Sequence, residues 1–398
     1  MCVLSSRAVE TGGWILPAEL SSRALRLAIV TNIPAPYRVP VFNCLALLPG
    51  VDLHVFYAAR REPDRNWDLP AMAHAHTFMR ESIFEGQTGR YVHNNPEVFG
   101  LLRKWNPDAV VTTGFTPTHL YSFAYTRLFR RKHIAMTDST VRSEAAMSTL
   151  RQFLRRRVIR GSGAYIAASV SGQSLLVSYG AAVDRITLSP LCANSTVQWD
   201  HVTPARLDLD FLFSGRLIDV KNPQFALQVA RESAKRLGRR TTLAILGDGP
   251  LRDSLRVAAA EAANEVEVHF AGNVSQTDVP RWFASARIFL FPSAWDPWGV
   301  VANEACLAGV PTIISPLAGA AGELIVDNET GLVRELELAQ WVDAACELIS
   351  NDALYKKIAR QAEQRVRPYN FERAAAGILD AAWIAVAGVA ISRSPEYK

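Results

Sequence analysis

Two carboxylates, Asp296 and Glu304, stand eight positions apart, and two cations, Arg216 and Lys221, stand five apart. An arginine grips phosphate with two parallel hydrogen bonds, and a lysine adds a mobile point charge. Gly215, next to the arginine, lets backbone approach a ligand closely. Asp296 lies in a loop ending at Gly299, and Glu304 lies about one turn into the helix that follows. Between the two acids, the start of that helix offers N–H groups near Trp298, Gly299 and Val300 at the positive end of its dipole, which is an anion site. A carboxylate repels the anion itself, so each acid is better suited to accept hydrogen bonds from neutral hydroxyls. An anion flanked by hydroxyl-rich groups describes a nucleotide sugar, with the diphosphate in the middle, ribose on one side and donor sugar on the other. Taken singly, the same residues also fit a solvated loop acid, a helix-face acid and ordinary loop cations.

The elements that must position these residues follow from the apolar pattern. Residues 288–291 form a short apolar run of the kind a buried parallel strand uses, and Pro292 and Ser293 stop it. A helix pattern over 300–307 closes at Gly309 and Pro311, and a second apolar strand spans 311–315 before the small-residue loop 318–322. Upstream, 210–213 and 241–246 read as strands around a helix over 223–237. In such α/β sheets, ligands bind at the carboxyl ends of the strands.

The order of these motifs resembles the retaining glycosyltransferases of family four (glycosyl transferases group 1). Asp296-x7-Glu304 is similar to that family's E-x7-E signature, with aspartate one methylene shorter in the first place. Gly215-Arg216-Leu217 followed by Lys221-Asn222 resembles its diphosphate-clamping motif. The resemblance implies an α/β GT-B fold, two facing Rossmann-like domains with a C-terminal crossover helix. It assigns donor-sugar hydroxyls to Asp296, the ribose diol to Glu304, and the leaving diphosphate to Arg216 and Lys221. It also places the loop at Gly247 in the nucleotide pocket, with the backbone around Asn273 and Val274 near the nucleobase. The run Leu246-Gly247-Asp248-Gly249 is not a dinucleotide fingerprint, because Arg252 replaces the third glycine. Glu323 is read as holding the glycine-rich loop. Asn328 stands where the family's turn carries glycine, and asparagine tolerates the left-handed conformation that position needs.

The first half alternates strands and helices in the same way. Strands are expected at 25–30, 51–57, 108–112, 134–137 and 164–167, with helices at 39–48, 115–130 and 151–160. The domain reading is a flexible extension over 1–24, a first Rossmann-like domain over 25–200 on the acceptor side, and a second over 205–370 on the donor side. A linker lies near 193–208, and 371–390 returns to the first domain as the crossover helix. In the first domain Asp138 is a candidate to hydrogen-bond the sugar or orient the acceptor hydroxyl, or else an N-cap. Arg38 is placed to reach a diphosphate or an acidic acceptor, and His119 is an acid–base candidate.

An apolar content of 49% with 20% charge is that of a globular protein with sizeable cores. Residues 1–200 hold 22 lysines and arginines against 14 acids, and the remainder 21 against 24. The basic excess sits at Arg127–Lys132 and Arg151–Arg160 among apolar residues, which suits anionic lipid headgroups or simply a solvated helix face. No nucleic-acid-binding motif accompanies it. Five scattered cysteines without metal or redox spacing indicate reduced thiols, and the start of the chain lacks a signal-peptide pattern. The expectation is therefore a cytoplasmic enzyme, peripheral to the inner membrane face, needing no metal and no cofactor beyond its donor. It transfers sugar to a carbohydrate or lipid-linked acceptor in envelope, exopolysaccharide or glycolipid assembly. The alternatives are a nucleotide-sugar epimerase of the same architecture and a non-catalytic nucleotide-sugar binder.

Overall fold

The structure, a computed structural model, describes residues 23–63, 71–85, 91–145, 147–193, 199 and 208–388. Most of the expected extension at 1–24, most of the linker near 193–208 and the last two residues of the 371–390 segment lie outside the described residues. The chain forms two compact units: unit 1 runs to Leu191 and resumes at Asn370, and unit 2 is Cys192–Tyr369.

Unit 1 contains strands β1 (Leu25–Thr31), β2 (Val51–Tyr57), β3 (Ala75–Phe78), β4 (Ile83–Glu85), β5 (Tyr91–His93), β6 (Ala109–Thr112), β7 (Lys132–Thr137), β8 (Ala164–Ala167) and β9 (Ile186–Leu188). β4 and β5 pair antiparallel, and the others form a seven-stranded parallel sheet in the order β3-β2-β1-β6-β7-β8-β9. The central strands are buried almost throughout, which is why they read as continuous apolar runs rather than alternating ones. The helix Phe371–Ala387 starts at Asn370, whose side chain accepts from Arg373 N, and packs on β7, β8, β9 and the helix Val39–Ala46. Thr187 Oγ1 donates to Gly377 O at 2.7 Å, tying β9 to that helix.

Unit 2 contains β10 (Leu209–Ser214), β11 (Thr241–Leu246), β12 (Val266–Gly272), β13 (Ala286–Phe291), β14 (Thr312–Ile314) and β15 (Leu332–Val333). All six are parallel, in the order β12-β11-β10-β13-β14-β15. Phe211, Phe213, Leu243, Ile245, Ile288 and Leu290 face one side of this sheet and pack with Trp341 and the helices Pro223–Leu237 and Leu338–Ser350. Each such side chain contributes about 1.5–3 kcal/mol when fully buried. The helix Pro223–Leu237 has proline in its first turn and ends at Gly238 in the left-handed region, a start and stop visible in the sequence. Asn328 has φ +59°, the left-handed conformation expected of it.

Candidate active site

The chain winds outward from β10 through β11 to β12, then returns to lay β13 on the other side of β10. The two connections leave their carboxyl ends in opposite directions, and such a switch point opens a crevice. Gly215, Arg216 and Lys221 leave from the end of β10; the loop Pro292–Gly299, with Asp296, leaves from the end of β13. The helix Val300–Leu307 follows at the span expected and carries Glu304 in its second turn. The geometry therefore gathers at one sheet edge residues separated by up to 89 positions in sequence.

These loops are held by backbone hydrogen bonds. Ala294 N donates to Val220 O at 2.8 Å, Leu217 N to Asp248 O at 2.9 Å, and Gly319 N to Asp296 O at 2.9 Å. Gly247 has φ +119°, and a Cβ there would fall on the Gly215 carbonyl oxygen. Glycine is thus required for the loop after β11 to lie against the Gly215 loop. Gly299, at φ +93°, caps the helix, and a Cβ there would strike the Phe291 ring.

Lys221 Nζ forms an ion pair with Asp296 Oδ2; the two side chains are 19% and 11% exposed. The other carboxylate oxygen accepts from Trp298 N at 3.1 Å. The acid and the lysine that the sequence reading gave to different parts of a donor are thus direct partners here. Trp298 is fully buried, donates Nε1–H to Asn303 Oδ1 at 2.8 Å and stacks on Tyr369 with ring centroids 5.5 Å apart. Its ring belongs to the packing, and its N–H is already engaged. The N–H groups of Gly299 and Val300, at the helix start, have no acceptor among the described residues.

Glu304 is 7% exposed, and its carboxyl has no hydrogen-bond partner among the described residues. Burial pushes its pKa up to about 8, because the ionised form has lost its water. An acid in this state gains most from ligand hydroxyls that donate to it. Arg216 is half-buried in the loop after β10. Asn273 and Val274 line an open pocket of about 400 Å³ beyond the end of β12. Asp278, Arg281 and Trp282, which the sequence reading passed over, line the same pocket. Ser275 Oγ donates to Asp278 Oδ2 at 2.8 Å, and the S-x-x-D spacing ahead of the helix Val279–Phe283 was a usable signal for that turn.

In unit 1, Arg38 Nη2 meets Asp138 Oδ1 at 2.5 Å, and Nη1 donates to Ser189 Oγ at 3.2 Å. Arg38 is buried, while Asp138 is 40% exposed. The N-cap considered for Asp138 falls two residues later, at Thr140, whose Oγ1 accepts from Ser143 N. His119 does not suit acid–base work: it is 2% exposed, bonded through Nδ1 to Thr116, and burial lowers its pKa to about 3. Glu267 lies inside β12, away from a strand's carboxyl end, as the rejection of a dinucleotide fingerprint requires.

Residues 204–365 match the family model described as glycosyl transferases group 1. That match lies within unit 2, and the two parallel α/β units have the GT-B architecture of the solved neighbours. The D-inositol 3-phosphate glycosyltransferase of Pseudarthrobacter chlorophenolicus is 26% identical over 356 residues, covering 85% of this chain and 81% of its own. The glycogen synthase of Mycobacterium tuberculosis is 24% identical over 277 residues, covering 67% and 66%. Among solved structures, Anabaena Alr3699/HepE in complex with UDP superposes with a TM-score of 0.69 at 14% identity, covering 89% of this chain and 98% of that one.

Proposed function

We propose that this group 1 glycosyltransferase moves a hexosyl group from a nucleoside-diphosphate sugar to an acceptor hydroxyl with retention of configuration. The observation that carries this reading is Glu304, a buried acid close along its helix to the N–H groups of Gly299 and Val300, all three without a partner among the described residues. A diphosphate takes the N–H groups with Arg216 and Lys221, a ribose diol takes Glu304, and the donor sugar takes Asp296. As the glycosidic bond breaks, negative charge gathers on the departing diphosphate, and these fixed donors stabilise it. Protein cations meet that charge, so transfer needs no metal; activity abolished by chelator and restored by magnesium would contradict this. That the HepE complex holds UDP favours a uridine donor. In this reading Asp138, at the carboxyl end of β7, orients the acceptor, and Asn273 and Val274 face the base.

In the same reading the acceptor lies at an anionic membrane surface on the cytoplasmic side, in envelope, exopolysaccharide or glycolipid assembly. The helix Thr149–Arg160 exposes Leu150, Phe153 and Leu154 at 66%, 60% and 37% among Arg151, Arg156, Arg157 and Arg160, and carries no acid. Apolar residues ringed by arginine suit an anionic interface. No helix among the described residues is long and apolar enough to cross a membrane. The deciding experiment incubates the protein with UDP-, GDP- and ADP-linked hexoses and an acceptor panel, and reads the product anomer by NMR. Retained configuration with release of the nucleoside diphosphate is expected. An inverted product, or donor isomerisation without any acceptor, would overturn the reading.

A further inference from the structure

We propose a second anion site in unit 1, at the amino-terminal edge of its sheet, that takes a phosphate ester bearing a short apolar group. A pocket of about 260 Å³ opens there between the sheet edge and the end of the helix Phe371–Ala387. Leu25 is the first residue of β1, Lys132 the first of β7, and Asp108 directly precedes β6. Trp383 and Val386 come from the last two turns of the helix. In a parallel sheet the catalytic-type loops leave from the other edge. This pocket is therefore separate from the carboxyl-edge loops of unit 1 that carry Arg38 and Asp138.

Its chemistry is unbalanced in a specific way. Arg23, Arg130, Arg131 and Lys132 line it against a single carboxylate, Asp108. That carboxylate is already taken: Arg23 donates to both of its oxygens at 2.7 Å, and Arg26 N donates to Oδ2 at 3.0 Å. Burial pushes the Asp108 pKa up, but Arg23, the Arg26 N–H and the charge of Arg131 outweigh it and hold the acid below its usual value. Arg130 and Lys132 have no ion-pair partner among the described residues. Arg131 donates to the neutral Asn106 Oδ1 at 2.5 Å, while its Nε is buried without a partner.

The end of the helix Pro117–Leu128 by itself favours cations through its dipole. That does not account for the left-handed backbone of Arg130, φ +53°, at a turn where glycine or asparagine is the unstrained choice. Nor does it account for the apolar wall of Leu25, Trp383 and Val386 beside the cations. Guanidinium and ammonium groups together select phosphate, and the wall selects an ester over the free ion. The volume lies below the roughly 300–1,000 Å³ of sites for drug-sized ligands, so a headgroup-sized phosphate fits better than a whole nucleotide sugar. A membrane lipid and a soluble organic phosphate both carry this chemistry.

The test titrates the full chain with hexyl phosphate and with inorganic phosphate by calorimetry. It compares the unaltered protein, a Lys221→Ala variant that removes one of the two phosphate-facing cations of unit 2, and an Arg130→Ser/Lys132→Ser variant. Both substituted residues of the pair are exposed, so the double variant keeps its fold. Hexyl phosphate should bind more tightly than inorganic phosphate, equally in the first two proteins and about tenfold or more weakly in the third. Vesicles of phosphatidylcholine with phosphatidic acid assign the source. Weakened vesicle binding by the double variant points to a lipid headgroup; unchanged vesicle binding with weakened hexyl phosphate binding points to a soluble ester. Equal affinity of the double variant for hexyl phosphate, no heat in any of the three proteins, or no preference over inorganic phosphate would each overturn the proposal.

Discussion

In unit 1 the chain leaves β1 and β7 carrying Arg38 and Asp138, which meet at 2.5 Å, while Arg38 also donates to Ser189. In unit 2 it leaves β10 and β13 carrying Lys221 and Asp296, which also meet. There, however, Glu304 and the N–H groups of Gly299 and Val300 are left without partners among the described residues. The two sheets share the inner order of a doubly wound fold, so topology does not separate them. Asn32 Oδ1 in unit 1 and Ser293 Oγ in unit 2 are each buried without a partner among the described residues, so what separates the two edges is the carboxyl that unit 2 adds, Glu304. A matched edge is stable by itself, and an unmatched one is stable only with a ligand or at a cost in free energy.

The largest expected effect tests the unmatched edge. Lys221→Ala should lower turnover about a hundredfold or more, since it removes a phosphate partner and strands Asp296, which is 11% exposed. Arg216→Ala should do the same; steady-state kinetics on both, with rates near those of the unaltered protein, would remove the phosphate clamp. The matched edge should respond differently. Arg38→Ala should cost about 2 kcal/mol in denaturant unfolding, reduced because Asp138 is 40% exposed, and should leave nucleoside-diphosphate affinity within about threefold. A large loss of that affinity with little loss of stability would erase the contrast between the edges.

Glu304 supplies a pH test. Its folded pKa, about 8, lies above the unfolded value of 4.5, so the native state keeps a proton that the unfolded state releases. Its contribution is therefore fully present below about pH 4.5, falls as pH rises towards 8 and levels off above it. Glu304→Gln should abolish that part of the decline, making the variant more stable at pH 8 by up to about 4 kcal/mol while weakening nucleotide binding. Parallel pH–stability curves for the two proteins would show that the acid is not buried and bare. The smallest effect is outside both edges: Asn328→Gly should change stability by less than about 0.5 kcal/mol, because either residue accepts φ +59°.

The fold was legible where burial leaves a strong local pattern. The strand spans 51–57, 164–167 and 241–246 and the helix spans 223–237 and 300–307 coincide with those observed, and the crossover helix starts at 371 as expected. β3, β4 and β5 escaped, since they are short, partly exposed and lack an apolar run. The helices Leu338–Ser350 and Asp352–Val366 were also not singled out, although the Asn351 cap is a readable start. Within the candidate site, residue identity and helix position could be read, and side-chain pairing could not. Trp298 appeared as a loop residue near an anion, yet stacking on Tyr369, 71 positions later, makes it part of the core.

What the sequence settled by itself is the inventory: which cations and acids follow which strands, because strand and helix periodicity are local and burial enforces them. What only tertiary structure decided is which of those groups neutralise one another. Lys221 and Asp296 are 75 positions apart, and no local rule couples them. The sheet order that sets β10 beside β13 does so, and it leaves Glu304 in the same unit largely buried, with no donor to meet it among the described residues.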